Sequence, residues 1–289
     1  MKKKIYYGRQ HIDKLDVNLV IKSLNENLIT TGNYVNLFEK KIRDKFKLFS
    51  FFLSYTTTVF TTKGLRKLFD NLMRLTLGTA NFLKNYSLIQ KDNLNPLYKK
   101  KLILKAKILG IKFIDTSPSY GNAEKIIGKT GVKIFKIITK IPKLPKSKIN
   151  NISDWILKNL KNSLKNLNQK KIYALLIHDK SDFMNNKKNY LEAFNIIKRK
   201  DLVEKIGVSL YEAKDLNKIV KYWKPDIVQI PYNIIDRRIQ NKKFINVIKK
   251  NSIELHVRSI FLKGMLVNQK VYPEAFNEWR KKINYWFKW

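Results

Sequence analysis

The sequence predicts an α/β fold of the (β/α)8 TIM-barrel type, incomplete at about seven strands, with a short helical N-terminal extension. Three observations support this prediction. The chain has 289 residues, enough for one such barrel. From about residue 75 onward, short apolar runs alternate with longer Lys-rich amphipathic stretches, which is typical of βαβ units. Neither a glycine-rich dinucleotide motif nor a P-loop follows the first run, so a barrel fits better than a doubly wound sheet.

The predicted strands and helices alternate along the chain. The seven apolar runs are 75–80, 111–115, 134–140, 173–178, 205–209, 226–230 and 253–259. The helix-like stretches between them include 96–109, 152–167, 190–200, 213–222 and 242–251. No strand is predicted after the seventh, so we expect an open barrel whose first and seventh strands each keep an unpaired edge. The segment 55–60 is rich in β-branched and aromatic residues, but we expect the preceding chain to be a poor substitute strand.

Composition and hydrophobic pattern divide the chain into three segments. Residues 1–48 read as two amphipathic helices separated by a Thr-Thr-Gly-Asn break. Residues 49–73 form a threonine-rich linker or junction to which we assign no chemistry. Residues 74–289 form the predicted barrel.

Composition excludes several classes of protein. The chain has no Cys and three His, which excludes a disulfide scaffold and a thiol nucleophile and predicts no metal site. Sixty basic residues against 22 acidic ones give a net charge of +38, which attracts anionic partners. The lysines are scattered rather than clustered, so we interpret the excess as compositional bias and do not expect a nucleic-acid partner. No signal peptide or membrane span is predicted, so the expected location is the cytoplasm.

Polar residues end successive predicted strands. Asp115 ends the second run, Lys140 the third and His178 the fourth, and Tyr120 lies in the loop after Asp115. Singly, each has a structural interpretation: a helix cap, a solvated charge, a hydrogen-bonded histidine and a packing residue. Because the carboxyl ends of barrel strands converge on one mouth, the four together favour a shared reactive site.

From about residue 75 to 289 the sequence resembles the aldo/keto reductases. The motifs that carry the resemblance are Leu77-Gly78-Thr79-Ala80-Asn81-Phe82, Phe113-Ile114-Asp115-Thr116-Ser117-Pro118-Ser119-Tyr120-Gly121, Thr139-Lys140, Ile177-His178, Ile206-Gly207-Val208-Ser209 and Val228-Gln229-Ile230-Pro231-Tyr232-Asn233. The resemblance implies reduction of an aldehyde or ketone, including sugar derivatives, with NADP(H) and without a metal. The implied partner is a small carbonyl substrate.

The resemblance also implies a role for each catalytic residue. Tyr120 is the general acid, and Lys140 beside it lowers the pKa of the Tyr120 hydroxyl. Asp115 holds Lys140 in place, and His178 orients the substrate carbonyl.

Four further residues are implied to bind the cofactor. They are Ser209, Gln229, Arg258 and Ser259. Ser209 and Gln229 would hold the nicotinamide carboxamide, while Arg258 stands where many members have an aromatic residue that stacks on the nicotinamide.

Besides Arg258, the sequence departs from the family in two further places. Leu210 replaces an Asn that often follows the strand-end Ser. The eighth strand and last helix, which bind the distal phosphate of the cofactor, have no counterpart, so we expect weak NADPH binding.

Residues 1–48 resemble the start of the DegT-like sugar-nucleotide aminotransferases. The matching motifs are Ile5-Tyr6-Tyr7-Gly8-Arg9-Gln10, Ile29-Thr30-Thr31-Gly32 and Phe38-Glu39-Lys40-Lys41. Two alternatives to an active reductase therefore remain. One is a catalytically impaired fusion relic of the two families, and the other is a basic nucleic-acid-binding protein.

Overall fold

A computed structural model describes residues 59–61, 75–83, 86, 94–131, 133–145, 149–233, 235–264, 277–278 and 280–281. The chain divides into two units, residues 1–51 and 52–289, and every described residue belongs to the second. The aminotransferase-like segment 1–48 therefore lies outside the described residues.

The described strands form one closed barrel in sequence order. They are β1 (Val59–Thr61), β2 (Leu75–Gly78), β3 (Phe113–Asp115), β4 (Lys136–Ile141), β5 (Ile172–Ile177), β6 (Val203–Ser209), β7 (Ile227–Pro231) and β8 (Glu254–Arg258). Neighbouring strands from β2 to β8 pair in parallel. The predicted set of seven parallel strands is thereby confirmed.

Helices follow the strands as the outer layer. They are α1 (Pro96–Ile108), α2 (Ala123–Lys129), α3 (Ile152–Leu167), α4 (Lys180–Asn185), α5 (Lys187–Arg199), α6 (Lys214–Ile219) and α7 (Lys242–Lys250). Among the described residues, no helix combines the length and apolarity needed to cross a bilayer.

The expectation of an open barrel is wrong, because β1 fills the gap between the first and last parallel strands. Phe60 pairs antiparallel with Leu75 of β2 and with Val257 of β8. Unpaired amides and carbonyls at two strand edges make such pairing favourable. This three-residue strand overlaps the end of the segment 55–60, so the expectation that the preceding chain is a poor substitute strand is also wrong.

Local sequence explains the regular elements. All six residues of β5 are buried, as expected for a parallel strand covered on both faces. Helix α3 begins after Asn151, whose side chain accepts a hydrogen bond from the Asp154 amide at 3.1 Å. The helix ends at Asn168, whose φ of 51° gives a left-handed cap.

A glycine brings β6 and β7 close together. A Cβ added at Gly207 would lie 2.1 Å from the Ile227 carbonyl oxygen, so only glycine fits there. This close approach lies just before Ser209, the last residue of β6, which pairs in register with Gln229 in the middle of β7.

Candidate active site

The predicted site residues gather at the carboxyl end of the barrel. Asp115 is the last residue of β3, Lys140 is the penultimate residue of β4, and His178 directly follows β5. Because these strands are parallel and adjacent, their carboxyl ends open on one mouth, where loop residues complete the site.

A buried ion pair forms the floor of this site. The Lys140 ammonium donates to the two Asp115 carboxylate oxygens at 2.9 and 3.0 Å, and to the Thr116 carbonyl oxygen at 2.9 Å. The two side chains are only 1% and 4% exposed. Three acceptors match the three ammonium protons, which compensates for the cost of burying the charges. Lys140 is therefore held as a fixed cation.

Gln229 extends the pair toward β7. Its Nε2 atom donates to Asp115 Oδ1 at 2.7 Å, which fixes the orientation of the amide. Its Oε1 atom is buried and has no hydrogen-bond partner among the described residues. A buried amide oxygen without a donor costs free energy, so this atom is suited to accept a hydrogen bond from a ligand.

Tyr120 lies above the ion pair in the loop that follows β3. The Lys140 ammonium is 5.0 Å from the centre of the Tyr120 ring, and the His178 ring meets it edge-on at 6.4 Å. The Tyr120 hydroxyl makes no hydrogen bond to another described residue. The structure thus brings the four predicted catalytic residues together, but Lys140 and His178 contact the ring of Tyr120 rather than its hydroxyl.

The local electrostatics differ from one expectation. Burial, followed by the negative charge of Asp115, raises the pKa of the Tyr120 hydroxyl above its ordinary value, while Arg258 opposes the shift. The net shift of this pKa is therefore opposite in direction to the lowering expected from Lys140. Burial is the largest cause, and Asp115 offsets the Lys140 charge. Tyr120 is consequently protonated near neutral pH.

His178 is held in its neutral form. Burial, reinforced by the positive charge of Lys140, lowers the pKa of its imidazole to about 4. A neutral imidazole has one donor and one acceptor nitrogen. It can therefore orient a carbonyl group without carrying a charge.

The predicted cofactor residues line the other side of the mouth. Ser209 at the end of β6 and Gln229 in the middle of β7 are buried side by side. Arg258 ends β8, and its guanidinium lies 4.4 Å from the centre of the Tyr211 ring. Ser259 follows with a φ of 59°, and its carbonyl oxygen accepts from the Asn233 side chain at 3.2 Å.

Sequence reasoning missed two aromatic residues of this mouth. Tyr211 stacks on Arg258, and Tyr86 lies 6.5 Å from the Tyr120 ring. Tyr211 stands two residues beyond the strand-end Ser209, so extending the strand-end rule into the following loop would have found it. Tyr86 lies in a region without a strand-end signal.

Comparisons with known proteins bear on the family and on the fold. The sequence profile of the aldo/keto reductase family matches residues 74–286. The NADH-specific methylglyoxal reductase of Escherichia coli (strain K12) is 28% identical over 185 residues, covering 57% of this chain and 56% of that protein. The chain thus spans a little over half the length of this curated relative.

Two solved structures share the fold. A putative aldo-keto reductase from Pseudomonas aeruginosa has a TM-score of 0.52 and 22% identity, covering 62% of this chain and 70% of the other. The holo form of an aldo-keto reductase from Bacillus halodurans has a TM-score of 0.54 and 20% identity, covering 62% of each chain. At these identities the similarity concerns the fold alone.

Proposed function

Because this chain belongs to the aldo/keto reductase family, we propose that it is an oxidoreductase that reduces an aldehyde or ketone with a nicotinamide cofactor. The observation that carries the proposal is the position of Tyr120. Its hydroxyl is not engaged by any described residue, while its ring contacts a buried lysine–aspartate pair and a neutral histidine. This arrangement can deliver one proton to a carbonyl oxygen.

The chain's own residues supply the proton and the orientation. Tyr120 Oη transfers its proton to the carbonyl oxygen as the C=O π bond breaks, and solvent later reprotonates the phenolate. His178, being neutral, donates one hydrogen bond that holds the carbonyl against Tyr120. The Lys140 ammonium, 5.0 Å from the centre of the Tyr120 ring, would offset only part of the negative charge that develops on Tyr120, because Asp115 shares it. The nicotinamide cofactor, when bound, supplies the hydride that adds to the carbonyl carbon.

The residues around Gln229 fit a nicotinamide carboxamide. Gln229 Oε1 is a buried acceptor without a partner among the described residues, and a carboxamide NH2 group is a matching donor. The Ser209 hydroxyl would hold the same carboxamide from the neighbouring strand, and Arg258 and Ser259 would complete the pocket. These contacts would fix the ring face from which hydride leaves.

We propose NADP(H) as the cofactor and a small carbonyl compound, including sugar derivatives, as the substrate. The resemblance seen in the sequence supports NADP(H), whereas the E. coli relative is named as NADH-specific. Fluorescence titration of the purified full chain with NADPH and NADH separately decides between the two.

The proposed function is tested by following nicotinamide absorbance with a panel of aldehydes and ketones. We expect turnover by the wild type and a large loss in Tyr120→Phe, with cofactor binding retained. Binding without turnover on any carbonyl would favour a catalytically impaired relic. Absence of cofactor binding together with salt-dependent DNA binding would instead favour the alternative suggested by the net charge of +38.

A further inference from the structure

Arg258 carries a positive charge at the mouth of the site that no carboxylate neutralises within the described part of the chain. We propose that Arg258 makes this site bind the reduced nicotinamide cofactor more tightly than the oxidised one, with Tyr211 as the supporting layer behind the guanidinium. This inference rests on the proposed function and extends it to the redox state of the cofactor.

The contacts of Arg258 leave much of the guanidinium available to a ligand. One face is covered by the Tyr211 ring at 4.4 Å. Two edge nitrogens make long hydrogen bonds, to the Leu210 carbonyl oxygen at 3.3 Å and to Ser259 Oγ at 3.4 Å. No second aromatic ring contacts the guanidinium among the described residues. A flat ring can therefore stack on the face opposite Tyr211.

Tyr211 supports the guanidinium rather than the core. The residue is 64% exposed, so its ring is not buried among the barrel's apolar side chains. Its ring contacts the guanidinium of Arg258. A tyrosine face attracts the guanidinium cation, which restricts the arginine to a plane that a second ring can meet.

The neighbouring charges do not cancel the charge of Arg258. Asp236 lies close enough for Arg258 to contribute to lowering the pKa of its carboxyl, but that carboxylate is engaged by Arg238 at 2.7 and 2.8 Å. Lys140, the other cation of the site, is already paired with Asp115. Within the described ranges, Arg258 is thus a cation without a carboxylate partner at the place where the nicotinamide is proposed to lie.

The two redox forms of the cofactor differ in charge at this place. The reduced nicotinamide ring is neutral, whereas the oxidised ring carries one positive charge. Two positive charges stacked about 4 Å apart repel each other, even in a partly solvated site. An aromatic residue at the same position would instead favour binding of the oxidised form, because its negative face attracts a cationic ring. We therefore expect Arg258 to weaken binding of the oxidised form at least tenfold relative to the reduced form.

The experiment measures dissociation constants of NADPH and NADP+ for the full chain, by fluorescence or calorimetric titration rather than by turnover. The ratio of interest is the dissociation constant of NADP+ divided by that of NADPH. Arg258→Met should reduce this ratio about tenfold, and Arg258→Tyr should reduce it further. Arg258→Lys should keep most of the ratio while weakening both forms, because it keeps the charge and loses the planar stack. High salt should narrow the wild-type ratio.

Arg237→Met is the matched control, since Arg237 is an exposed arginine in the loop after β7 and its loss changes the net charge equally. Its ratio should equal that of the wild type. Thermal melting shows whether each variant is folded. If Arg258→Met is not folded, Arg258→Lys still tests the inference. Equal ratios in folded wild type and Arg258→Met would overturn this inference and leave the proposed function intact. Failure of the wild type to bind either form would overturn both.

Discussion

Two clusters of the barrel carry the same four kinds of side chain, yet the side chains are arranged differently. The upper cluster, at the carboxyl ends of the strands, consists of Asp115, Tyr120, Lys140 and His178. The lower cluster consists of Tyr173, Lys205 and Glu254, which lie toward the amino ends of their strands, and of His256 in the middle of β8. Each contains one carboxylate, one lysine, one tyrosine and one histidine.

In the lower cluster the other three members all contact the carboxylate. Tyr173 Oη donates to Glu254 Oε2 at 2.7 Å, His256 Nε2 lies 2.6 Å from Glu254 Oε1, and Lys205 forms an ion pair with the same carboxylate. Burial opposes ionisation of Glu254, but these hydrogen bonds outweigh it and lower the pKa of the carboxyl to about 2. The lower cluster is therefore a stabilising contact among three strands, β5, β6 and β8.

In the upper cluster the carboxylate is shared differently. Asp115 binds Lys140 and Gln229, while Tyr120 and His178 meet each other through their rings. The Tyr120 hydroxyl keeps its proton for a ligand, because no described residue accepts it. Residue composition alone therefore does not distinguish a reactive site from a structural cluster. We propose that the distinguishing feature is the Tyr120 hydroxyl at the carboxyl end of the barrel, which makes no hydrogen bond to a described residue.

The tyrosines give the largest expected contrast. Tyr120→Phe should lower kcat/KM about 10²- to 10³-fold, because it removes the proton donor. Tyr173→Phe should leave kcat/KM nearly unchanged and lower the free energy of unfolding by about 1 to 2 kcal/mol, because it removes a hydrogen bond to a carboxylate. Steady-state kinetics and denaturant unfolding of both variants check the pair. Equal losses of activity would contradict the assignment of the two clusters.

The lysines give the next contrast. Lys140→Met should destabilise the fold by about 3 to 5 kcal/mol, because it leaves the Asp115 carboxylate buried without its cation. Lys205→Met should cost about 1 kcal/mol or less, because the Lys205 side chain is 32% exposed. Urea unfolding measures both values.

A double variant removes the buried carboxylate charge that Lys140→Met leaves unpaired. Asp115→Asn combined with Lys140→Met should recover part of the lost stability without recovering activity. If Lys140→Met were as stable as the wild type, the ion pair would not be buried as described.

The sequence was sufficient to predict the parallel strands and their polar ends. Apolar runs mark β2 to β8, and parallel order brings Asp115, Lys140 and His178 to one mouth without knowledge of any contact. It was not sufficient to predict β1, because three residues in a threonine-rich segment carry no periodic signal. Their pairing depends on edges supplied by strands far along the chain.

Contacts across the barrel were equally beyond sequence reasoning. The Gln229–Asp115 hydrogen bond joins residues 114 positions apart, and the Tyr173–Glu254 bond joins residues 81 positions apart. Strand periodicity tells which side chains point inward, but not which of them meet in the middle. The raised pKa of Tyr120 was missed for the same reason, since it follows first from burial of the side chain and then from the nearby Asp115 charge.

Acid should weaken the lower cluster through Glu254. The pKa of this carboxyl in the folded protein, about 2, lies below its ordinary value of 4.5. Its contribution to stability is therefore present above about pH 4.5 and is lost as the pH falls toward 2. Between about pH 5 and pH 2, the wild type should lose about 2 kcal/mol more unfolding free energy than Glu254→Gln. Parallel loss in the two proteins would show that the hydrogen bonds do not depend on ionisation.

The smallest expected effect concerns His178 in the upper cluster. The pKa of its imidazole in the folded protein, about 4, lies below the ordinary value of 6.5. Between these values the unfolded chain binds the proton and the folded chain does not, so stability falls as the pH drops from about 6.5 to 4. His178→Asn should reduce this loss by about 1 to 2 kcal/mol, discounted for the partial exposure of the ring.

NMR provides a direct measurement of the same property. One imidazole resonance should titrate near pH 4 and should be missing from His178→Asn, while His256→Asn keeps it. The comparison is simple to interpret because the chain has only three histidines. A His178 resonance titrating near 6.5 would mean that water and protons reach the ring freely. The upper cluster would then lack the desolvation that keeps His178 neutral, and the imidazolium could itself compete with Tyr120 as the proton donor.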